Sequence, residues 1–211
     1  MDIREAIQTP LKKLNANNVQ ETFKTIAENL FNNFCIQCGE NEGKKYYDFA
    51  EIEFYYYEKG KWENEWNKVT YARDGYDAGT LFYHLSGVDI CFDSKYDENK
   101  FGGILIRSLK SEEKLITGPL NCKDELLNAC KGNFMPILKE LEPQNEIIPM
   151  STKRLLGETA MLDNIDGDYN LCFYNGNIKD WNTERTWYDK KTGKVKKVPK
   201  KYTIDRNIPT K

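Results

Sequence analysis

The 211 residues are enough for one domain and a short additional segment, because a typical domain has about 150 residues. Hydrophobic residues make up 39% of the chain and aromatic residues 13%, which excludes intrinsic disorder, and no run approaches the roughly 18 apolar residues of a membrane-spanning helix. The net charge is −2, and the polar N-terminus does not resemble a secretion signal. We therefore expect an intracellular, cytoplasmic protein, a monomer without a membrane partner.

Charge is distributed unevenly along the chain. Residues 190–211 contain eight Lys and one Arg against one Asp, so they carry a net charge of +8 and residues 1–189 carry −10. We predict a single domain over 1–189 and a basic C-terminal segment over 190–211, with a hairpin tip between Asp189 and Lys197. The segment is either a solvated tail or a source of phosphate contacts. The candidate contact residues are Lys190, Lys191, Lys194, Lys196 and Lys197.

The first predicted elements are a helix and a long strand. Apolar residues recur at helical spacing over 19–34, and Asn18 with Glu21 forms a candidate capping box. Residues 45–58 are rich in strand formers. Strict alternation would put Ala50, Ile52 and Phe54 on one face, and Phe49, Glu51, Glu53, Tyr55 and Tyr57 on the other.

The middle of the chain predicts a loop, a hairpin and a central strand. Residues 60–78 are polar and contain glycine, which is typical of a loop. TLFYHL and VDICFD are apolar arms joined at Ser86 and Gly87, which predicts a two-residue turn. The almost continuously apolar run over 101–109 predicts a strand that is buried on both faces.

The last predicted elements complete an α+β fold. Asn121 is a candidate N-cap for a helix over 122–131, and 170–175 predicts a last strand. Hairpins dominate over alternating strands and helices, which favours a single α+β domain around a mostly antiparallel sheet.

Two charged residues lie where charge is costly. Glu53 is surrounded by Tyr and Phe, and Arg107 interrupts an apolar run. Buried charges need partners, so we expect the carboxylate and the guanidinium to share one site on the sheet, with Glu51 as the competing carboxylate. An ion pair with a purely structural role explains the pattern equally well.

Aromatic residues surround the predicted position of Glu53. Tyr55 shares its strand face, and Tyr83 and His84 lie in the neighbouring hairpin. Flat rings beside a carboxylate suit a planar, base-like ligand, although tyrosine-rich strands also form ordinary cores. The only close cysteine pair, Cys35 and Cys38, has no second pair at zinc spacing, which favours reduced structural thiols over a redox or metal site.

Four segments in order resemble the alkyladenine (3-methyladenine) DNA glycosylase family of the mammalian type. They are AEIEFYYYEKG (50–60), AGTLFYHLSGVDICFDS (78–94), FGGILIRSLK (101–110) and LITGPLNCKDELLNA (115–129), with weaker similarity in KRLLG (153–157) and NLCFY (170–174). The corresponding family motifs are a VETEAY-like strand, a GTLYVY…YG…N hairpin, a G-LIRALEP-like strand and a helix start with GP.

The resemblance implies a domain around a curved antiparallel sheet that flips a damaged nucleotide into a pocket and cuts its N-glycosidic bond with water. It implies Glu53 as the general base and Arg107 as a residue that holds the water. It implies Tyr55 as one stacking ring, Tyr83 or His84 as the opposing ring, and Asp93 where the family screens purines with asparagine. No cofactor is implied, since hydrolysis needs only a positioned water.

The chain departs from the family at several positions. The intercalating tyrosine of the family falls near Ser86, Asn64 is the nearest residue to a family histidine, and Asp93 replaces an asparagine. Two hypotheses follow. The protein is either a hydrolase that removes a modified base from DNA or from a smaller nucleoside-type substrate, or a catalytically silent relative that binds a base-like ligand or a protein partner.

Overall fold

The computed structural model describes residues 1–40, 43–60, 75–93, 100–130, 135–142, 146–154 and 169–178, together with the backbone of 184–188 and 195–199. Within these ranges the helices are α1 Ile3–Leu11, α2 Val19–Asn33 and α3 Pro119–Ala129. The strands are β1 Phe34–Cys38, β2 Lys45–Glu58, β3 Leu81–His84, β4 Gly87–Cys91, β5 Lys100–Lys110, β6 Leu115–Thr117, β7 Ile137–Glu140, β8 Pro149–Thr152, β9 Cys172–Asn175, β10 Glu184–Tyr188 and β11 Val195–Pro199.

The first nine strands form one curled sheet. Its main order is β3-β4-β5-β2-β1-β7, with β6 paired to β5 and the β8–β9 pair joined to β2. Every pairing among the described strands is antiparallel. The predicted α+β fold with a mostly antiparallel sheet is confirmed. The pairing of β10 with β11 agrees with the hairpin predicted near Asp189, although 189–194 lie outside the described residues.

An irregularity in β2 reverses the side-chain alternation. The register against β5 shifts between Phe49 and Ile52, so Phe49 packs in the main core with Ile52 while Ala50 packs with Tyr174 outside that core. The predicted faces of Phe49 and Ala50 are therefore wrong, because one extra residue in a strand turns the preceding residues over. At the same place β2 changes its partner on one side from β1 to β9.

The main core lies between α2 and one face of the sheet. The rings of Phe23 on α2 and Phe54 on β2 pack with centroids 4.9 Å apart, and both side chains are fully buried. Burial of each such ring contributes roughly 1.5–3 kcal/mol to folding. The opposite face of β2 and β5 therefore points away from α2.

Both predicted helix caps differ from the structure. Asn18 precedes α2, but its side chain bonds backward to Lys13 and Asn15, so the predicted capping box with Glu21 is wrong. The helix α3 begins at Pro119 rather than after Asn121, because proline is well suited to the first helical position.

The β3–β4 hairpin is confirmed, with a turn shifted by one residue. His84 pairs with Gly87, so the turn residues are Leu85 and Ser86 rather than Ser86 and Gly87. A Cβ at Gly87 would lie 2.9 Å from side-chain atoms of both Leu105 and Pro119, which explains why glycine is needed inside the strand.

Among the described residues, none of the helices is long and apolar enough to cross a membrane.

Candidate functional site

The face of β2 and β5 that points away from α2 carries Glu51, Glu53, Tyr55 and Arg107, and we call it the site face. Strand register extends it across the sheet: Asp89 on β4 pairs with Leu105, and Leu105 pairs with Glu53. Directly paired residues of antiparallel strands point to the same side. The site face therefore joins residues from distant parts of the sequence into one row.

Arg107 binds both carboxylates of the site face. Its Nη1 donates to Glu53 Oε2 at 2.6 Å, and its Nε donates to Glu51 Oε1 at 3.3 Å. The side chain of Glu53 is fully buried, and that of Arg107 is 11% exposed. The predicted juxtaposition of Glu53 and Arg107 is confirmed, and their contact is direct rather than through a water.

The two carboxylates affect the pKa of the groups that donate to them. Burial lowers the pKa of Arg107, but the carboxylates of Glu53 and Glu51 outweigh it and raise the pKa above its ordinary value. Glu51 also accepts hydrogen bonds from the Ser108 hydroxyl at 2.9 Å and the Cys172 thiol at 3.5 Å. Burial, and then the nearby Glu51, raise the pKa of Cys172, so the thiol stays neutral and donates.

Tyr55 forms the second contact of Glu53. The Tyr55 hydroxyl donates to Glu53 Oε1 at 2.5 Å, and burial raises its pKa well above the ordinary value for tyrosine. The described contacts use one acceptor direction on each carboxylate oxygen of Glu53. A carboxylate has about four acceptor directions, so two of them are unused by these contacts, while the complete burial of the side chain leaves no surface of Glu53 in contact with water in this arrangement.

Arg154 covers the ring of Tyr55. Its guanidinium carbon lies 4.8 Å from the ring centroid, and its Nη1 donates to the Phe54 carbonyl at 2.8 Å. On β5, the cross-strand partner of Tyr55 is Gly103, which has no side chain to cover the ring. Tyr55 itself remains partly exposed.

His84 and Tyr83 point to opposite sides of the sheet. His84 Nε2 lies 3.1 Å from Asp89 Oδ1, and its Nδ1 accepts from the Ser86 amide, which assigns the proton of the neutral ring to Nε2. Tyr83 packs against the main core instead. Of the two candidates for the opposing ring, the structure brings only His84 to the site face, because neighbouring strand residues alternate.

The hairpin turn presents an apolar side chain. Leu85 is 89% exposed, and Lys123 Nζ donates to the carbonyls of His84 and Leu85 at 3.2 Å each. The shifted turn thus places a leucine, as well as Ser86, at the tip. Register alone did not predict this, because the turn was expected one residue later.

For Asp93 and the basic segment, the described residues show no contact with the site face. Asp93 is partly exposed and lies just beyond β4, and no described hydrogen bond or ion pair joins it to Glu53. Asn64, Lys190, Lys191 and Lys194 lie outside the described residues. Lys196 and Lys197 lie on β11, where only the backbone is described.

All six cysteines are free and buried. Burial raises the pKa of Cys35 to about 11, which agrees with an unreactive thiol. Within the described residues, no group of three or more His, Cys, Asp or Glu side chains is arranged to hold a metal ion.

Sequence analysis missed Arg154 and Asp89 as parts of this arrangement. Arg154 lies in the weak KRLLG similarity, and this was its one signal. Asp89 is 1% exposed, and a charge inside the strand-forming run VDICFD was the available clue. A comparison with known protein families found no match to this chain, and a search of curated proteins found no significant match.

Proposed function

We propose that this protein is a DNA glycosylase-like hydrolase that cleaves the N-glycosidic bond of a modified purine with water activated by Glu53. The observation that carries the proposal is the fully buried Glu53 carboxylate, bonded to Arg107 at 2.6 Å and to Tyr55 at 2.5 Å on one sheet face. A buried carboxylate fixed by two donors suits a positioned base, because proton transfer requires a defined geometry.

In the proposed reaction, the bond between sugar C1′ and the base nitrogen breaks as a water oxygen bonds to C1′. Glu53 takes a proton from that water, and the bonding electrons leave with the base. Positive charge develops on the sugar in the transition state, and the carboxylate stabilises it. Arg107 keeps Glu53 oriented, and it prevents the two buried carboxylates from standing uncompensated.

The hairpin tip suits a nucleotide that is taken out of a base stack. Leu85 is 89% exposed, and leucine is among the apolar side chains that proteins insert between base steps. Lys123 holds both carbonyls at this turn, which limits its movement. We therefore favour DNA over a free nucleoside as substrate, with Tyr55 and His84 as the candidate rings on either side of the base.

A second candidate is a catalytically silent relative that binds a base-like ligand or a protein. Complete burial of Glu53 favours it, because in the described arrangement no surface of this side chain is open to solvent. In this case Glu53 and Arg107 form an ion pair that fixes β2 against β5. The two functions differ in whether a base is released.

The deciding experiment is base release from duplex and single-stranded oligonucleotides that contain hypoxanthine or an alkylated purine. We expect release by the unaltered protein and a loss of about 10²–10⁴-fold for Glu53→Gln, because the amide cannot accept the water's proton. Glu112→Gln, at an exposed turn, is the matched control. Release by Glu53→Gln at the rate of the control would remove Glu53 as the base.

Binding without release separates the second candidate from the first. If the protein binds these oligonucleotides or the corresponding nucleosides but releases no base from any of them, the silent relative is correct. Circular dichroism of Glu53→Gln is the check on folding, since only a folded variant tests the chemistry.

A further inference from the structure

Glu51 is the second carboxylate that binds Arg107, and it takes part in none of the proposed chemical steps. Its side chain is 2% exposed. It accepts hydrogen bonds from Arg107 Nε at 3.3 Å, from Ser108 Oγ at 2.9 Å and from Cys172 Sγ at 3.5 Å. Donors from two neighbouring strands, β5 and β9, therefore hold this carboxylate in place.

The register shift between β2 and β5 allows this arrangement. Glu51 pairs with Ser108, whereas the next residue of β2 pairs with Ile106, so Arg107 lies opposite the irregularity. Consecutive residues of a strand normally point to opposite faces of the sheet, yet Arg107 and Ser108 both donate to Glu51. A bulge redirects side chains in this way, and bulges are frequent beside active sites. Here the irregularity brings two donors of β5 to one carboxylate.

Arg107 uses different nitrogens for the two carboxylates. Its Nε donates to Glu51, and its Nη1 donates to Glu53. The guanidinium is planar and rigid, so a fixed direction of the Nε–H bond also fixes the direction of Nη1. Glu51 therefore determines the direction from which Arg107 donates to Glu53.

We infer that Glu51 is a positioning residue, which fixes Arg107 and thereby the orientation of Glu53. The inference rests on the proposed function, because a defined orientation of Glu53 matters for proton transfer. It assigns different roles to two side chains of the same chemistry. Three described donors hold Glu51, whereas two hold Glu53, which retains two unused acceptor directions.

The test measures base release in single turnovers, with the protein in excess over a duplex that contains hypoxanthine. The rate constant at saturating protein does not depend on the folded fraction of a variant, so it reports the site rather than stability. We expect Glu51→Gln to lower this rate constant about tenfold. The physical reason is that a neutral amide holds the guanidinium of Arg107 less firmly than a carboxylate does. The concentration of folded protein at half-saturation should change little, because the altered side chain supports Arg107 rather than the bound nucleotide.

Ser108→Ala is the second variant, and it removes one donor from Glu51 without changing a charge. We expect a smaller loss in the rate constant. Because Ser108 acts through Glu51, the double variant should be no slower than Glu51→Gln alone. The matched control is Ser111→Ala, just beyond the end of β5, for which we expect the rate constant of the unaltered protein. A purely structural role of Glu51 would leave all of these rate constants equal.

A rate constant of Glu51→Gln equal to that of the unaltered protein would overturn the inference and leave the proposed function standing. A loss as large as that of Glu53→Gln would also overturn it, because Glu51 would then act as a base itself. If Glu51→Gln does not fold, Ser108→Ala decides, and a rate constant equal to that of Ser111→Ala would overturn the inference. Absence of base release by the unaltered protein would overturn the proposed function, and the positioning role with it.

Discussion

The two faces of the β2–β5 pair both contain fully buried side chains, but the two faces are held together differently. On the core face, Ile52 and Ile106 are fully buried among apolar neighbours, and on the site face Glu53 is fully buried against Arg107. Loss of a methyl group from the core face removes only the apolar contacts of that group, so its cost is small. Loss of one charge from the site face leaves its partner buried without compensation. Fully buried residues on the two faces are therefore expected to differ in their sensitivity to substitution.

The largest expected effect is that of removing Arg107. Arg107→Met leaves Glu51 and Glu53 buried together without their shared cation, so we expect the free energy of unfolding to fall by about 3–5 kcal/mol. The matched control is Ile106→Val, next to Arg107 in the chain and on the core face, for which we expect about 0.5–1.5 kcal/mol. Urea denaturation of both variants measures the difference.

A second substitution sharpens this comparison. If uncompensated charge causes the loss, then Glu51→Gln in the Arg107→Met background should recover part of the stability, because it removes one of the two carboxylates. A double variant no more stable than Arg107→Met alone would show that lost packing of the arginine, rather than charge, destabilises the protein.

The site face also shows how far sequence patterns carry a prediction. Glu53 and Arg107 were detectable because each places a charge in a run of strand formers, and β2 begins and ends where its composition indicated. The faces of Phe49 and Ala50 were not predictable, because the shift in register depends on the strands that pair with β2. Arg154 approaches Tyr55 from a segment about 100 residues away, and no local pattern records that contact.

The predicted positions of the hairpin turn and of the start of α3 were wrong for a different reason. Ser86 with Gly87 is a common turn pair, but close packing of Leu105 and Pro119 uses Gly87 inside β4. Tertiary packing therefore decided the turn, and it placed Leu85 at the tip. The start of α3 needed only local chemistry, since Pro119 was visible in the sequence, and the preference for Asn121 as N-cap overlooked it.

A smaller effect is expected for nucleic-acid binding through the basic segment. The charges of the site face are buried and paired, so phosphate attraction must come from other cations. We expect combined Gln substitutions at Lys190, Lys191 and Lys194 to flatten the dependence of log affinity on log salt, by about 0.9 for each lost phosphate contact. Substitution is preferable to deletion of 190–211, because β11 in this segment is paired with β10.

The control for this measurement is a pair of exposed lysines at the end of α1, Lys12 and Lys13, changed to Gln. Affinity for a labelled duplex is measured at several salt concentrations. An equal slope for the unaltered protein and the 190, 191 and 194 variant would show that the segment is a solvated tail. A larger change in slope for the control pair would indicate that Lys12 and Lys13 make the phosphate contacts instead.

The smallest expected effect concerns a charge that is neither fully buried nor on the site face. Glu125 on α3 accepts a hydrogen bond from the Tyr47 hydroxyl at 2.9 Å and from Lys114 Nζ at 2.7 Å. Partial burial raises the pKa of Glu125, but the hydrogen bonds from Lys114 and Tyr47 outweigh it and lower the pKa below its ordinary value. A lowered folded-state pKa means that the contribution to stability is complete above the unfolded-state pKa and is lost as pH falls through the folded-state value.

We therefore expect Glu125→Gln to reduce the melting temperature slightly at neutral pH and to have less effect under acidic conditions. The reduction should correspond to less than about 1 kcal/mol, because Lys114 is half exposed and solvent screens the pair. Melting curves from pH 7 to about pH 3, with Glu112→Gln as the exposed control, measure the difference. A gap between Glu125→Gln and the unaltered protein that widens with acid would contradict the sign, because it would require the carboxyl to stabilise the fold in its protonated form.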